Sequence, residues 1–150
     1  MILVSPHSAI KNKHNARVPA CTGHRGYKGR YPENTMTAFA QAIAAGANGI
    51  EFDLHVSRDG VVVVSHDPSL RRCFGVNKKV EECDWEYLAS LRTKPHQHPV
   101  EKMPRLVDVL DLLDKEGLEH VWGLLDVKVL ASKKKTRDRT AAEFCLKKLT

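Results

Sequence analysis

The stretch Gly49-Ile50-Glu51-Phe52-Asp53-Leu54-His55-Val56 alternates apolar and polar side chains over its whole length. This is the period of a β-strand, so one face should be apolar and the other should carry Glu51, Asp53 and His55. A buried strand tolerates charges only where they are paired or bind something, because an uncompensated buried charge costs roughly several kcal/mol. The polar face of this strand therefore predicts a functional site.

A short strand and a helix are predicted before this stretch. Residues 18–23 form an apolar run that delivers His24 and Arg25 at its end. Asn34 or Thr35 can then cap a helix, because a short side-chain oxygen accepts from first-turn N–H groups. Apolar residues follow at helical spacing until a glycine ends the pattern: Met36, Phe39, Ala40, Ile43 and Gly46. The order strand, helix, strand is a βαβ unit with parallel strands.

A hairpin, an insertion and a third strand are predicted after it. The turn signal Arg58-Asp59-Gly60 indicates that residues 61–65 return antiparallel and bring His66 towards the acidic face. Residues 68–103 lack a long regular period and should form an insertion or lid. A helix should run from Pro104 to Gly117, with a stripe of Leu106, Val109, Leu110 and Leu113. A buried strand is predicted at 121–129, with Asp126 and Lys128 on one face and Leu125, Val127 and Val129 on the other. A last helix is predicted at 137–150, and its apolar stripe contains Ala142, Cys145, Leu146 and Leu149.

This order predicts an α/β fold, the N-terminal part of a (β/α)8 barrel with about three barrel strands, a hairpin and a small insertion. A complete barrel of this kind takes about 250 residues, so residues 20–150 should form a partial domain without its C-terminal half. The strand at 121–129 is then expected to leave an open edge suited to self-association. Residues 1–19 are polar and without period, and they are expected to form a flexible arm.

Composition narrows the classes of function. The net charge of +6 favours anionic partners, but the cluster Lys133-Lys134-Lys135 has no interleaved aromatics, which argues against nucleic acid. Cysteines at scattered positions, without zinc or disulfide spacing, indicate a reducing, cytoplasmic setting: Cys21, Cys73, Cys83 and Cys145. There is no apolar run of about 18 residues that would span a membrane. Peripheral contact with a membrane or lipid droplet stays compatible with this composition.

A set of short polar motifs recurs at uneven intervals along the chain. In chain order they are His24-Arg25-Gly26, Pro32-Glu33-Asn34-Thr35, Glu51-x-Asp53, Asp59-Gly60, His66-Asp67, Met103-Pro104-Arg105-Leu106 and Asp126-x-Lys128. Carboxylates, two histidines and cationic side chains together suit a site that holds a cation and an anionic substrate. The motifs resemble, in order and over roughly residues 20–130, those of the glycerophosphodiester phosphodiesterase family.

The resemblance implies a metal-dependent barrel that hydrolyses a phosphodiester in deacylated phospholipids or related lipids. It implies that Glu51, Asp53 and Asp126 bind Mg²⁺ or Ca²⁺, that His24 and His66 are the general acid and base, and that Arg25 and Lys128 contact phosphate. Many members have a glutamate where this chain has Asp126, and the Asp-x-Lys form resembles phospholipase-like branches of the superfamily. The base is thought in this family to activate a neighbouring glycerol hydroxyl, which gives a cyclic phosphate.

Alternatives remain open at this point. His66 could simply bond to Asp67, and Lys128 could simply pair with Asp126. His55 shares the acidic face but is a weak candidate ligand. The chain could also be catalytically silent and bind only metal or a phosphate-bearing partner. A zinc amidohydrolase-like barrel is disfavoured, because no His-x-His pair ends a predicted strand.

Overall fold

The computed structural model describes residues 2–4 and 21–128. The predicted helix at 137–150 and most of the predicted arm at 1–19 lie outside these ranges. The elements are β1 (Ile2–Val4), β2 (Thr22–His24), α1 (Met36–Ala44), β3 (Gly49–Val56), β4 (Val62–Val64), α2 (Arg71–Phe74), a 3-10 turn (Val80–Glu82), α3 (Trp85–Ser90), α4 (Leu106–Leu113) and β5 (Trp122–Val127). No helix in these ranges is long and apolar enough to cross a membrane.

Strand β3 is the centre of the sheet. It runs parallel to β2 on one edge and parallel to β5 on the other. Leu54 pairs with both Val64 of β4 and Val127 of β5, so the antiparallel β4 shares the β2 edge. The predicted βαβ unit and hairpin are therefore confirmed.

The outer edge of β5 is paired, which corrects one expectation. Strand β1 lies antiparallel to β5, with Ile2 opposite Leu125 and Val4 opposite Gly123. The edge of the predicted strand at 121–129 is thus covered at residues 123–125, and residues 2–4 of the predicted arm are a strand. An unpaired strand edge offers free N–H and C=O groups, and an apolar β-prone triplet can take them. Three residues are too few for an alternation pattern to predict this pairing.

Helices α1 and α4 cover the apolar face of β3. The aromatic rings of Phe39 on α1 and Phe52 on β3 meet edge to face with centroids 5.8 Å apart. The residues that these two helices bury are Ala38, Phe39 and Ala42 on α1, and Leu106, Val109 and Leu112 on α4. The predicted stripes are shifted, because Ala40 is exposed and Leu110 and Leu113 are only half-buried.

The predicted bounds of the second helix are wrong at both ends. Pro104 is not helical, because its carbonyl accepts the Val64 N–H at 2.8 Å and so ties this residue to the hairpin. The helix starts at Leu106 after an N-cap at Arg105 and ends at Leu113 rather than near Gly117.

The insertion is packed rather than loose. Its short helices surround a second apolar cluster on the back of β4, formed by Val63, Leu70, Val80, Cys83, Leu88 and Met103. The helices α2 and α3 contain only 4 and 6 residues, which explains why no long period marks the sequence. The insertion therefore has a fixed position beside the carboxyl end of the hairpin.

Replacing Gly26 by alanine should destabilise the fold. Gly26 has φ +75°, and a Cβ there would lie 2.7 Å from the backbone carbon of Ala38. We expect Gly26→Ala to lower the free energy of unfolding by about 2 kcal/mol or more. Gly29→Ala, in the same loop with nothing within 4 Å of its Cβ position, is the control and should change it by less than about 0.5 kcal/mol. Urea unfolding followed by circular dichroism measures both, and equal losses would contradict the steric argument.

Candidate active site

Three carboxylates meet where β3 and β5 lie side by side. The parallel register places His24 of β2 beside Glu51, and Asp53 beside Asp126 of β5. Oxygen atoms of Glu51, Asp53 and Asp126 all lie within 4.8 Å of one another. The expectation that these three groups come within reach of one cation is confirmed. An all-oxygen set of this size fits a hard divalent cation such as Mg²⁺ or Ca²⁺.

Asp53 is the most deeply buried of the three. Its side chain is 1% exposed and lies 2.9 Å from Lys128 Nζ and 3.5 Å from Arg25 Nε. Asn34 Nδ2 donates to it at 2.9 Å, and the Asn34 side-chain oxygen accepts the Asp53 N–H at 3.3 Å. The buried charge is thus compensated from three directions.

Asn34 is a site residue that sequence reasoning left as a possible helix cap. Thr35 is the cap instead, and its hydroxyl accepts the Ala38 N–H at 3.2 Å. Asn34 adopts φ +56°, a left-handed conformation that asparagine tolerates better than most residues. The capping pattern could not tell which of the two neighbours turns inward.

Glu51 has fewer cationic side chains around it than Asp53 has. Burial raises the pKa of its carboxyl and the nearby Asp53 adds to the effect, while the backbone N–H of Arg25 opposes it. That N–H donates at 2.8 Å, and His24 Nε2 lies 3.8 Å away on a side chain that is 57% exposed. An added cation would relieve this deficit.

Lys128 lies against the acidic cluster. Its Nζ contacts the carboxylates of both Asp126 and Asp53. Burial opposes the charge on Lys128, but these two hydrogen bonds outweigh it and raise the lysine pKa. The same contact with Lys128 lowers the pKa of Asp126. The ion pair considered from the sequence is present, and it reaches two of the three carboxylates.

Arg25 is held by carboxylates on two sides. It adopts φ +58°, and its Nη1 donates to Glu33 at 3.0 Å while its Nε faces Asp53. Burial would raise the pKa of Glu33, yet Arg72 and Arg25 together lower it. Glu33 therefore stays ionised and fixes the guanidinium.

His66 follows β4 and bonds to its neighbour. Its Nδ1 lies 2.7 Å from Asp67 Oδ1. The pKa of Asp67 falls to about 2, mainly through its hydrogen bond with Arg72, with burial opposing and His66 assisting. His55 is buried and lies outside the three-carboxylate group; its Nε2 is 3.2 Å from the His66 carbonyl oxygen. Burial lowers the pKa of His55.

Fold and site together define a segment of a (β/α) barrel with a carboxylate cluster and cationic side chains at its strand ends. The model of the glycerophosphoryl diester phosphodiesterase family matches residues 24–145. The chain belongs to this family. The predicted fold class is confirmed, because the open sheet matches part of solved members of the same family.

Known relatives are longer than this chain. A lysophospholipase D of Mus musculus is 46% identical over 79 residues, which are 50% of this chain and 24% of that protein. The crystal structure of a glycerophosphodiester phosphodiesterase from Thermotoga maritima matches with a TM-score of 0.64 and 32% identity, over 89% of this chain and 52% of that one. An Oleispira antarctica phosphodiesterase, solved with the product sn-glycerol-3-phosphate, matches with a TM-score of 0.63 and 28% identity, over 73% and 44%. The chain thus spans about half the length of these solved relatives.

Asp67 should make stability depend on acid pH. Its pKa is lowered from 3.8 to about 2, so its stabilising contribution is complete above about pH 4 and is lost as the pH falls towards 2. The shift corresponds to about 2 kcal/mol. We expect Asp67→Asn to lower the free energy of unfolding at pH 6 and to flatten its fall between pH 4 and 2.

The control for this prediction is Asp111→Asn on the exposed side of α4, which should change the free energy of unfolding at pH 6 by less than about 0.5 kcal/mol. Urea unfolding at a series of pH values gives the curves. Identical slopes for the parent protein and Asp67→Asn would contradict the prediction.

Proposed function

We propose that this chain carries the catalytic residues of a divalent-cation-dependent phosphodiesterase that acts on glycerophosphodiesters or phospholipid head groups. The observation that carries the proposal is the convergence of Glu51, Asp53 and Asp126 within 4.8 Å. The relatives add support, because one is a lysophospholipase D and another was solved with sn-glycerol-3-phosphate. A cation bound by these carboxylates, Mg²⁺ or Ca²⁺, would polarise the phosphoryl oxygens.

Arg25 and Lys128 are proposed to neutralise the phosphate. Arg25 Nη1 donates to Glu33, and its Nε lies 3.5 Å from Asp53 without a hydrogen bond among the described residues, which leaves Nη2 to donate to a phosphoryl oxygen. Lys128 Nζ adds a positive charge at the edge of the carboxylate cluster. The side chains of Arg25 and Lys128 are held by buried or half-buried carboxylates, so they need little ordering when the substrate binds.

The two histidines are proposed to move protons. One takes the proton of the substrate's neighbouring glycerol hydroxyl as its oxygen attacks phosphorus, and the other gives a proton to the alcohol oxygen as its bond to phosphorus breaks. An ionised Asp67 can only accept, so it holds the proton of His66 on Nδ1 and leaves Nε2 free. His24 is the more exposed of the two, beside Glu51.

A second candidate is a binding module without turnover. It is favoured by the length of the chain, which is about half that of the solved relatives. Such a module would still bind a cation through the same carboxylates. Activity and cation binding must therefore be measured separately.

Cation binding is the first test. We expect Mg²⁺ or Ca²⁺ to bind in isothermal titration calorimetry, and we expect Glu51→Gln or Asp126→Asn to weaken binding by about tenfold or more. Glu116→Gln, an exposed carboxylate after α4, is the control and should leave the affinity unchanged. Equal affinity in all variants would show that the cation does not use this cluster.

Turnover is the second test, and it separates the enzyme from the binding module. With glycerophosphodiesters as substrate, His24→Ala and His66→Ala should each lower turnover by about 10²–10⁴-fold, the usual worth of general acid–base catalysis. His120→Ala, at an exposed position before β5, is the control. Losses below tenfold at both sites would remove the histidines from proton transfer, and no turnover in the parent protein would favour the binding module.

Three finer statements are also proposals. A cytoplasmic location rests on cysteine usage, and Cys21, Cys73 and Cys83 are free thiols. Peripheral membrane contact rests on the lipid character of the substrate. Self-association rests on the outer edge of β2, which has no strand partner among residues 2–4 and 21–128. Cell fractionation, vesicle sedimentation and size-exclusion mass test these statements in turn.

A further inference from the structure

We propose that Arg72, in the insertion, is a positioning residue that fixes Arg25 through Glu33 and His66 through Asp67. The inference rests on the proposed function, because it concerns the residues assigned to phosphate contact and proton transfer. In this proposal the insertion contributes a residue to the functional site and does not only cover it.

The guanidinium of Arg72 uses all three of its nitrogen atoms. Nη1 and Nη2 donate to Glu33 at 2.9 and 2.7 Å, and Nε donates to Asp67 at 2.6 Å. Arg72 stands on α2, whereas Glu33 precedes α1 and Asp67 follows β4. A single planar fork therefore joins the start of the insertion to Glu33, a residue that is distant in the sequence.

The carboxylates of Glu33 and Asp67 each contact Arg72 and also one functional side chain. Glu33 Oε1 accepts from Arg72 Nη2 and also from Arg25 Nη1 at 3.0 Å. Asp67 binds Arg72 through Oδ2 and His66 Nδ1 through Oδ1, at 2.7 Å. The orientations of Arg25 and His66 thus depend on the same guanidinium.

The charges of this cluster also require Arg72. Glu33 and Asp67 are only 15% and 26% exposed, and Arg72 is the leading cation in lowering the pKa of both carboxyl groups. Without it, Asp67 keeps only His66 as an ionic partner among the described contacts, and Glu33 keeps only Arg25. Other groups near His66 are His55, at its carbonyl, and Asp126, through the electric field. Neither of them contacts the His66 ring nitrogens in the described structure, so neither can orient the ring in place of Asp67.

The test compares Arg72→Gln and Arg72→Lys with Arg71→Gln, an exposed arginine on the same helix. Lysine keeps the charge but has no fork, so it can serve only one of the two carboxylates well. We expect both Arg72 variants to lower kcat by about 10–100-fold, since misplacing a reacting group costs about that much. Arg71→Gln should keep the parent kcat, and all three variants should keep a cooperative melting transition.

A spectroscopic measurement separates positioning from simple stability and does not need turnover. In ¹⁵N NMR of the histidine rings, the parent protein should hold the His66 proton on Nδ1, and Arg72→Gln should shift the population towards Nε2–H. A double-mutant cycle on kcat should show that Asp67→Asn costs less in the Arg72→Gln background than in the parent.

The outcomes distinguish the two ideas. An unchanged His66 tautomer and unchanged kcat in Arg72→Gln would overturn the positioning role while leaving the proposed function intact. No turnover in the parent, with the tautomer still shifting in Arg72→Gln, would overturn the proposed function alone. If Arg72→Gln does not fold, Arg72→Lys carries the same two measurements.

Discussion

The buried carboxylate of Asp53 is the constraint on which the site depends. At 1% exposure its charge needs compensation from neighbours, and these come from two segments: Arg25 and Asn34 in the connection between β2 and α1, and Lys128 after β5. Parallel pairing with β3 positions the ends of β2 and β5, and the Asn34 N–H donates to the Arg25 carbonyl at 3.0 Å. Compensating one charge on β3 therefore draws together the segments that follow β2 and β5.

The remaining carboxylates show how the positive charge is distributed. Contacts with arginine or lysine lower the pKa of Glu33, Asp67 and Asp126, so these groups are already supplied with cations. Glu51 is different, because burial and the repulsion of Asp53 raise its pKa. Positive charge is therefore lacking at Glu51, because the described contacts of Lys128 are with Asp53 and Asp126.

Prediction from sequence succeeded where one periodicity dominated. The strand at 49–56 has the predicted bounds because its alternation is unbroken and glycine and a turn flank it. The three predicted carboxylates converge because parallel register aligns Asp53 with Asp126. Helix bounds failed where a long-range contact decided them, as when the Val64 N–H takes the carbonyl of Pro104. The pairing of residues 2–4 and the inward turn of Asn34 are decided in the same way, by partners distant in the sequence.

The insertion shows that a functional site can include residues that lie outside the recognised sequence motifs. Its apolar cluster on the back of β4 fixes α2 without any long sequence period. That packing sets Arg72 within hydrogen-bond distance of both Glu33 and Asp67, which belong to two different motifs. Arginine in a region without a pattern gives no signal of its own, because its partners are identified only once the chain is folded. Apolar packing in the insertion and electrostatics at the strand ends are therefore parts of one arrangement, and the second depends on the first.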